Sequence, residues 1–486
     1  MSEDPQTDER CFTLWRTRSL WIAFAVALTI RLVVVWVADY EFGRGGALSG
    51  LNAGYVNGAA SLASGMGLLM HTRNSASASA VDVMKNLEIS GTRLDKTHPY
   101  PIDDRGWIPA TLHPAGYSVL LWGFYELGNY RGMLLLARYF PAVVDAVGVL
   151  LLFLFAKNLF GRQVGLWSAW VYALMPGAIA LILPFGPDAY ARFFAILILS
   201  LASYARFNKG WALPAAGFAA GIAFHFRAEF LAWPVILWLC VVLDTRKFWQ
   251  STIRMIPAGA AMLAAILPWI LWTYQATGRP MLSTSSPGGT SYQSLGEDPE
   301  NPWGIELYDD SWLGEDAWKR GFASPWTPEA SEFYGLLWRQ HVLEHPGYFI
   351  SLVVKHRLPL ALVPPYRYRD YSGDSDLWSQ KHAEGLTKWG FVRKYPWKVL
   401  RHRGIEIAMA ALSALLLSAM LASIILMRRN WRSIAWLAIP WLSTIVSMCL
   451  VKNIESRNIS TVLVVQSVAA AIVISELFSQ QHRDAT

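Results

Sequence analysis

The sequence predicts an all-α polytopic membrane protein, and three observations carry that prediction. Only 16% of the 486 residues are charged, against about a quarter in soluble domains, so the chain lacks the polar surface that several soluble domains would need. Hydrophobic residues reach 54%, mean hydropathy is +0.29, and 24 Trp, 22 Phe and 19 Tyr supply the interfacial aromatics of repeated crossings. Apolar runs long enough for a bilayer recur along the chain. Lys plus Arg at 42 against Asp plus Glu at 35 gives +7, the excess that cytoplasmic loops require. No nucleic-acid partner is predicted from it. Cys11, Cys240 and Cys449 are far apart and form no CxxC pair, so the sequence supports neither a disulfide framework nor a cysteine metal site.

The first run, about Leu20 to Ala38, follows Arg16 and Arg18. It exceeds the 7–15 residues of a signal-peptide core, contains Arg31 and is followed by no small-x-small cleavage site, which predicts an uncleaved signal anchor with its N-terminus inside. Further runs lie near 133–156, 163–184, 188–206, 211–226, 230–243, 255–274, 405–427, 431–450 and 459–478. The prediction is therefore about ten transmembrane helices. Counting from an inside N-terminus, the connections at Lys157/Arg162, Arg206/Lys209, Asp244–Lys247 and Arg428–Arg432 all fall in the cytoplasm, and each is basic. The apolar stretches 115–128 and 346–363 would reverse that pattern if either counted as a span. Both are predicted to be interfacial or re-entrant helices.

This organisation divides the chain into an N-terminal transmembrane module (1–274) with an outer loop at 39–132, an outer region at 275–404, and C-terminal transmembrane helices at 405–486. In the first outer loop Tyr55, Ala59, Leu62 and Met66 recur at three and four residues, the spacing of an amphipathic helix lying on the membrane. The segment Gly296–Trp326 is acidic, aromatic and rich in Pro and Gly, and reads as a compact cap without long helices.

Charged residues at the outer level mark the candidate site. They are Asp39, Glu41, His113, Asp188, Arg227, Glu229 and Arg457. Each has a structural reading beside the functional one. Asp188 opens a helix after Gly186-Pro187 and suits an N-cap or first-turn carboxylate. Arg227 and Glu229 suit an interfacial ion pair, and Arg457 a snorkelling anchor. Asp145, Glu406 and Arg31 lie in or near apolar spans, where an ionisable group needs a partner or a polar cavity. His225 reads as a packing residue. The absence of HExxH, of a His/Cys cluster and of a P-loop from the sequence argues against a zinc protease or an ATP-driven pump.

The order of short motifs resembles the GT-C glycosyltransferases, integral membrane enzymes that include protein O-mannosyltransferases and lipid A aminoarabinose transferases. The resemblance runs through Arg31-Leu32, the Tyr55 helix ending Gly65-Met-Gly67, His113-Pro-Ala-Gly-Tyr117, Phe160–Leu166 continuing to Leu174-Met-Pro176, Gly221–Glu229, Leu267-Pro-Trp269 with Tyr274 and Gly278-Arg-Pro280, Pro287-Gly-Gly289, and Ser456-Arg457. It implies a GT-C-like bundle that transfers a sugar from a polyprenyl-phosphate donor to a glycan, lipid or protein acceptor. The setting it implies is a bacterial-type inner membrane, with the site facing the periplasm or exterior. No cofactor is implied, and divalent-cation use stays open.

Such a transfer needs a carboxylate to take the acceptor proton and cations for the leaving phosphate. On the resemblance, Asp39, Asp188 or Glu41 supply the first, Arg227 and Arg457 the second, and Tyr55, His113 and Glu229 line the substrate pocket. The chain departs from the family pattern at one point: four residues before Tyr55, where the family has an acid, stands Leu51, with Asn52 beside it. Either a nearby acid has taken over, or the chemistry differs, or activity is lost. A transporter or flippase of lipid-linked glycans is the alternative from another class; such proteins often carry inverted repeats, and none is visible in the sequence. The topology predicts that cysteine labels placed within Gly296–Trp326 react with impermeant reagents from the outer face. Labelling only from the cytoplasm would invalidate the placement of every candidate residue above.

Overall fold

A computed structural model describes residues 18–46, 53–63, 65, 67–71, 107–183, 186–207, 209–298, 301–305, 310–363, 396–451 and 460–484. The helices, in chain order, are α1 (Arg18–Gly46), α2 (Ala53–Ala63), α3 (Gly116–Phe160), α4 (Arg162–Ala173), α5 (Pro176–Ala180), α6 (Asp188–Ser203), α7 (Ala212–Phe224), α8 (Trp233–Thr245) and α9 (Phe248–Thr277). There follow α10 (Ser286–Gln293), α11 (Asp310–Lys319), α12 (Pro328–Glu344), α13 (Pro346–Leu352), α14 (Leu358–Leu362), α15 (Pro396–Leu426), α16 (Trp431–Val451) and α17 (Ser460–Asp484). Strands β1 (Leu69–His71) and β2 (Trp107–Pro109) pair antiparallel, with Met70 opposite Ile108. The protein is a multi-pass helical membrane protein.

Among the described residues eight helical segments are long and apolar enough to cross a membrane: Arg18–Val37, Arg131–Phe160, Asp188–Phe207, Ala228–Thr245, Phe248–Thr277, Ala408–Leu426, Arg428–Leu450 and Val462–Gln480. They coincide with eight of the ten predicted runs. The other two form shorter helices. The run 211–226 becomes the 13-residue α7, and the run 163–184 breaks into α4 and α5 because Pro176 has no N–H and Met175 before it is extended.

The stretch 115–128 runs into the span after it through a kink. Gly128 and Asn129 leave helical geometry, Asn129 with φ of 57°, so α3 bends between its first part and the apolar segment Arg131–Phe160. The Tyr55 helix is shorter than its motif: it stops at Ala63, Gly65 and Gly67 take positive φ, and the chain enters β1. Ser61 fastens the two elements, its hydroxyl lying 3.0 Å from the Leu69 N–H that donates to it. The stretch 346–363 folds as α13, a π-helical turn over Val353–Arg357, and α14.

Helix α7 packs against α9 through small residues. A Cβ on Gly217 would come within 2.1 Å of the Ala258 carbonyl oxygen, and one on Gly221 within 2.7 Å of that of Met262, so only glycine allows this approach. Because 217 meets 258 and 221 meets 262, the two helices run parallel, as two helices that both start from basic loops must. The C-terminal helices close on the N-terminal module. Cys240 Sγ faces the Ala435 carbonyl, Arg206 and the Leu159 carbonyl both bond Ser433, and Trp167 stacks on Phe478 at 5.4 Å. The segment after α9 is tied down by fully buried Arg357, which bonds Glu297 at 2.6 Å, Ser294 at 2.8 Å and the Cys449 carbonyl at 3.0 Å.

The Pro176 break has an electrostatic consequence within the bundle. Tyr172 has lost its donor four residues on, and backbone carbonyls at membrane depth must be satisfied inside the protein. Arg31 reaches across from α1 to donate to the carbonyls of Tyr172 at 3.3 Å and Ala173 at 2.9 Å. Its Nε bonds Asp145 at 2.6 Å. On the other side of the same carboxylate, Arg192 donates through Nη2 at 2.7 Å and Nε at 2.9 Å, and also bonds the Ala178 carbonyl of α5 at 3.0 Å. Tyr172 Oη donates to Asp145 at 2.7 Å. Arg31, Asp145 and Arg192 are all fully buried, and the cluster joins α1, α3, α4, α5 and α6. Removing one partner from such a cluster strands buried charge, at a cost of about 3–5 kcal/mol. Asp145→Ala is therefore expected to lower unfolding stability in micelles by about that amount; an unchanged unfolding midpoint would show that the cluster does not hold the helices together.

Candidate active site

The N-terminal end of α6 carries the candidate site. Asp188 is its first residue, with Pro187 as the cap and no side-chain capping bond, so the carboxylate is left to face another element. Arg192 follows one turn later on the same side of the helix, held by Asp145. The intramembrane cluster thus sets the rotation at which Asp188 is presented.

Its partner is Arg227, in the extended residue between α7 and the 3-10 turn Ala228–Ala232. Arg227 Nη2 donates to Asp188 Oδ1, and Nη1 lies 3.6 Å from Glu229 Oε2. Asp188 is 2% exposed, while Arg227 and Glu229 are half-buried. One guanidinium therefore sits between two carboxylates, for a local sum of −1.

The His113-Pro-Ala-Gly-Tyr117 segment docks directly against this turn. The Gly116 N–H donates to the His225 carbonyl at 2.6 Å, and a Cβ on Gly116 would come within 2.5 Å of that oxygen. Glycine at 116 is what lets the segment approach. His225 is a packing residue, its ring Nε2 bonded to the Ala265 carbonyl at 2.9 Å. Tyr55 of α2 stacks on His113 at 4.4 Å and meets Tyr117 edge-on at 5.1 Å. Tyr117 lies 5.9 Å from Tyr190, which stacks on Phe226 at 5.3 Å. Burial pushes the Tyr117 phenol well above its ordinary range, and the neighbouring Tyr190, Tyr55 and Asp188 push it further. It stays a neutral hydroxyl. A small recess beside His113 is lined by Leu68, Met70, Ala110, Leu112 and Ser118. The start of α10 meets its edge, where the Ser285 N–H donates to the Thr111 carbonyl at 2.8 Å and the two hydroxyls lie 2.9 Å apart.

The structure thus brings together Tyr55, His113, Asp188, Arg227 and Glu229 from four separate segments. Asp39 and Glu41 lie on α1 beyond its apolar span Arg18–Val37, and their side chains are outside the described residues, as is Arg457 altogether. Among the described residues no group of three or more His, Cys, Asp or Glu is placed to hold a metal ion. Sequence reasoning missed the roles of Arg192 and Tyr190, which look like ordinary members of an apolar run. Tyr117 was within a motif but was not singled out.

Comparison with known proteins bears out the resemblance to the GT-C glycosyltransferases. Residues 112–272 match the family model described as dolichyl-phosphate-mannose-protein mannosyltransferase, a span that includes His113, Asp188, Arg227 and Glu229. Among solved structures, the archaeal oligosaccharyltransferase AglB from Archaeoglobus fulgidus, in complex with an inhibitory peptide and a dolichol-phosphate, superposes with a TM-score of 0.54 at 13% identity, covering 97% of this chain and 51% of that one. The apo form of the Archaeoglobus fulgidus oligosaccharyltransferase gives 0.53 at 14% identity, with 97% and 51% covered. At such identity the likeness is one of fold. The chain spans about half the length of the solved structures it matches. No curated protein matches it.

Proposed function

We propose that this chain is a glycosyltransferase that moves a sugar from a polyprenyl-phosphate donor to an acceptor hydroxyl at the outer face of a bacterial-type plasma membrane. The observation that carries the reading is the convergence of Arg227, its two carboxylate neighbours and the His113 segment at one end of the bundle, within the stretch that matches the mannosyltransferase model. A lipid-linked donor suits that position because its tail stays in the bilayer while its sugar reaches the aqueous side. The acceptor is a cell-envelope glycan, lipid or protein; the structurally similar oligosaccharyltransferase has been solved with a dolichol-phosphate and, separately, tethered with an acceptor peptide, which supports a lipid donor and a protein-type acceptor.

In this reading the acceptor oxygen attacks the anomeric carbon, its proton passes to a carboxylate, and the bond from that carbon to the phosphate oxygen breaks. A single displacement of this kind inverts the anomeric centre, and polyprenyl phosphate leaves. Arg227 stabilises the departing phosphate. Asp188, bonded to that guanidinium, serves to orient it, which leaves Asp39, with Glu41 in reserve, as the base. Arg457 supplies a second cation, which brings the sum over Asp188, Arg227, Glu229 and Arg457 from −1 to zero before the phosphate arrives.

Purified protein incubated with a panel of polyprenyl-phosphate sugars and acceptors tests this by release of free polyprenyl phosphate. Charge-assisted contacts are worth about 1.5–3 kcal/mol, so Arg227→Ala is expected to lower kcat/KM by about 10- to 150-fold while Asp39→Asn abolishes transfer but preserves donor binding. Failure to release polyprenyl phosphate from any donor would contradict the proposed activity, and full activity in a folded Arg227→Ala protein would remove Arg227 from the site.

A further inference from the structure

Two phenols beside the charged cluster are buried with nothing to bond. Tyr117 is 0% exposed and Tyr190 3%, and neither hydroxyl has a hydrogen-bond partner among the described residues. Their rings lie 5.9 Å apart. A buried hydroxyl is normally paired, because leaving it unpaired forfeits its bonds to water without return. Phenylalanine would fill each position without that cost. Two such hydroxyls together, next to Asp188 and Arg227, therefore point to a ligand that supplies their missing partners.

The surroundings select the chemistry of that ligand. Tyr55 meets Tyr117 edge-on at 5.1 Å and Phe226 stacks on Tyr190 at 5.3 Å, so the phenol pair sits within an aromatic surround. Burial keeps the Tyr117 phenol uncharged, able to donate to a neutral oxygen or accept from a hydroxyl. A phosphate is better served by Arg227 nearby. What suits neutral hydroxyls set among aromatic faces is a ring with hydroxyls at its edge and C–H groups on its faces, which is a pyranose. His113 stacks on Tyr55, which in turn meets Tyr117, and also lines the small recess with Leu68, Met70, Ala110, Leu112 and Ser118.

We propose that Tyr117 and Tyr190 form the sugar subsite of this protein, their hydroxyls bonding the oxygens of the donor's pyranose while Arg227 holds its phosphate. This rests on the glycosyltransferase reading above and adds to it the two residues that tell a sugar-bearing lipid from a bare one.

The test uses the full chain in nanodiscs, as wild type, Tyr117→Phe, Tyr190→Phe and the double variant. The probes are dolichyl phosphate and whichever of dolichyl-phosphate mannose, glucose and galactose the wild type binds most tightly. Without ligand, the thermal unfolding midpoint of each Phe variant is expected to equal or exceed that of wild type. Affinity for the sugar-bearing lipid is expected to fall about tenfold for each hydroxyl removed, while affinity for dolichyl phosphate stays unchanged. Equal loss of affinity for both lipids, or no loss for either, would overturn the subsite and leave the glycosyltransferase reading intact. So would a lowered unfolding midpoint in the unliganded variants, which would assign the hydroxyls to structure. A wild type that binds no lipid of the set would remove the glycosyltransferase reading, and the subsite with it.

Discussion

A proline in the middle of an apolar run imposes the constraint on which the rest of this structure depends. Pro176 ends α4 inside the bundle and leaves carbonyls that water cannot reach. Arg31 bonds those of Tyr172 and Ala173, Arg192 bonds that of Ala178 in α5, and Asp145 sits between the two arginines. Two cations and one anion at 0% exposure are tolerable only when their geometry is fixed, and that requirement locks five helices to one another. Because Arg192 lies one turn from Asp188, the lock sets how the first residue of α6 meets Arg227.

A similar dependence on few contacts holds at the end of the bundle that carries the candidate site. The ion pair between Asp188 and Arg227 joins the start of α6 to the turn after α7, and the close approach of Gly116 to His225 brings the His113 segment onto that turn. Thr111 and Ser285 then bring in the segment after α9, while Arg357 anchors that segment to α16 through Glu297 and the Cys449 carbonyl. Segments separated by more than a hundred residues thus meet at one end of the bundle. In the proposed reaction, that end lies where bilayer meets water and a lipid-linked sugar presents its phosphate there.

Much of this architecture was legible in the sequence, because length and hydropathy determine where a bilayer can be crossed. Eight of the ten apolar runs became long helices, and the basic loops singled out 115–128 and 346–363 as different in kind. His113, Asp188, Arg227 and Glu229 stood out through charge at helix ends and Tyr55 through the order of motifs, and these five share one cluster. The pairing of Asp145 was not legible: its partners stand 114 residues before it and 47 residues after it, and no periodicity links them. The shortening of the run 163–184 was signalled by Pro176, yet a hydropathy profile averages over a single proline. Tyr117 and Tyr190 escaped notice because a tyrosine in an apolar stretch reads as packing until its hydroxyl is seen to lack a partner.

The central claim is that the N-terminal end of α6, with Arg227 facing it, is where the lipid phosphate binds. An experimental structure of the protein in nanodiscs with dolichyl phosphate tests it most directly. The account predicts phosphate density within hydrogen-bonding distance of the Arg227 guanidinium, with the isoprenoid chain running from there into the bilayer. Phosphate density at another face of the bundle, with the Asp188–Arg227 pair undisturbed and remote from it, would contradict the account.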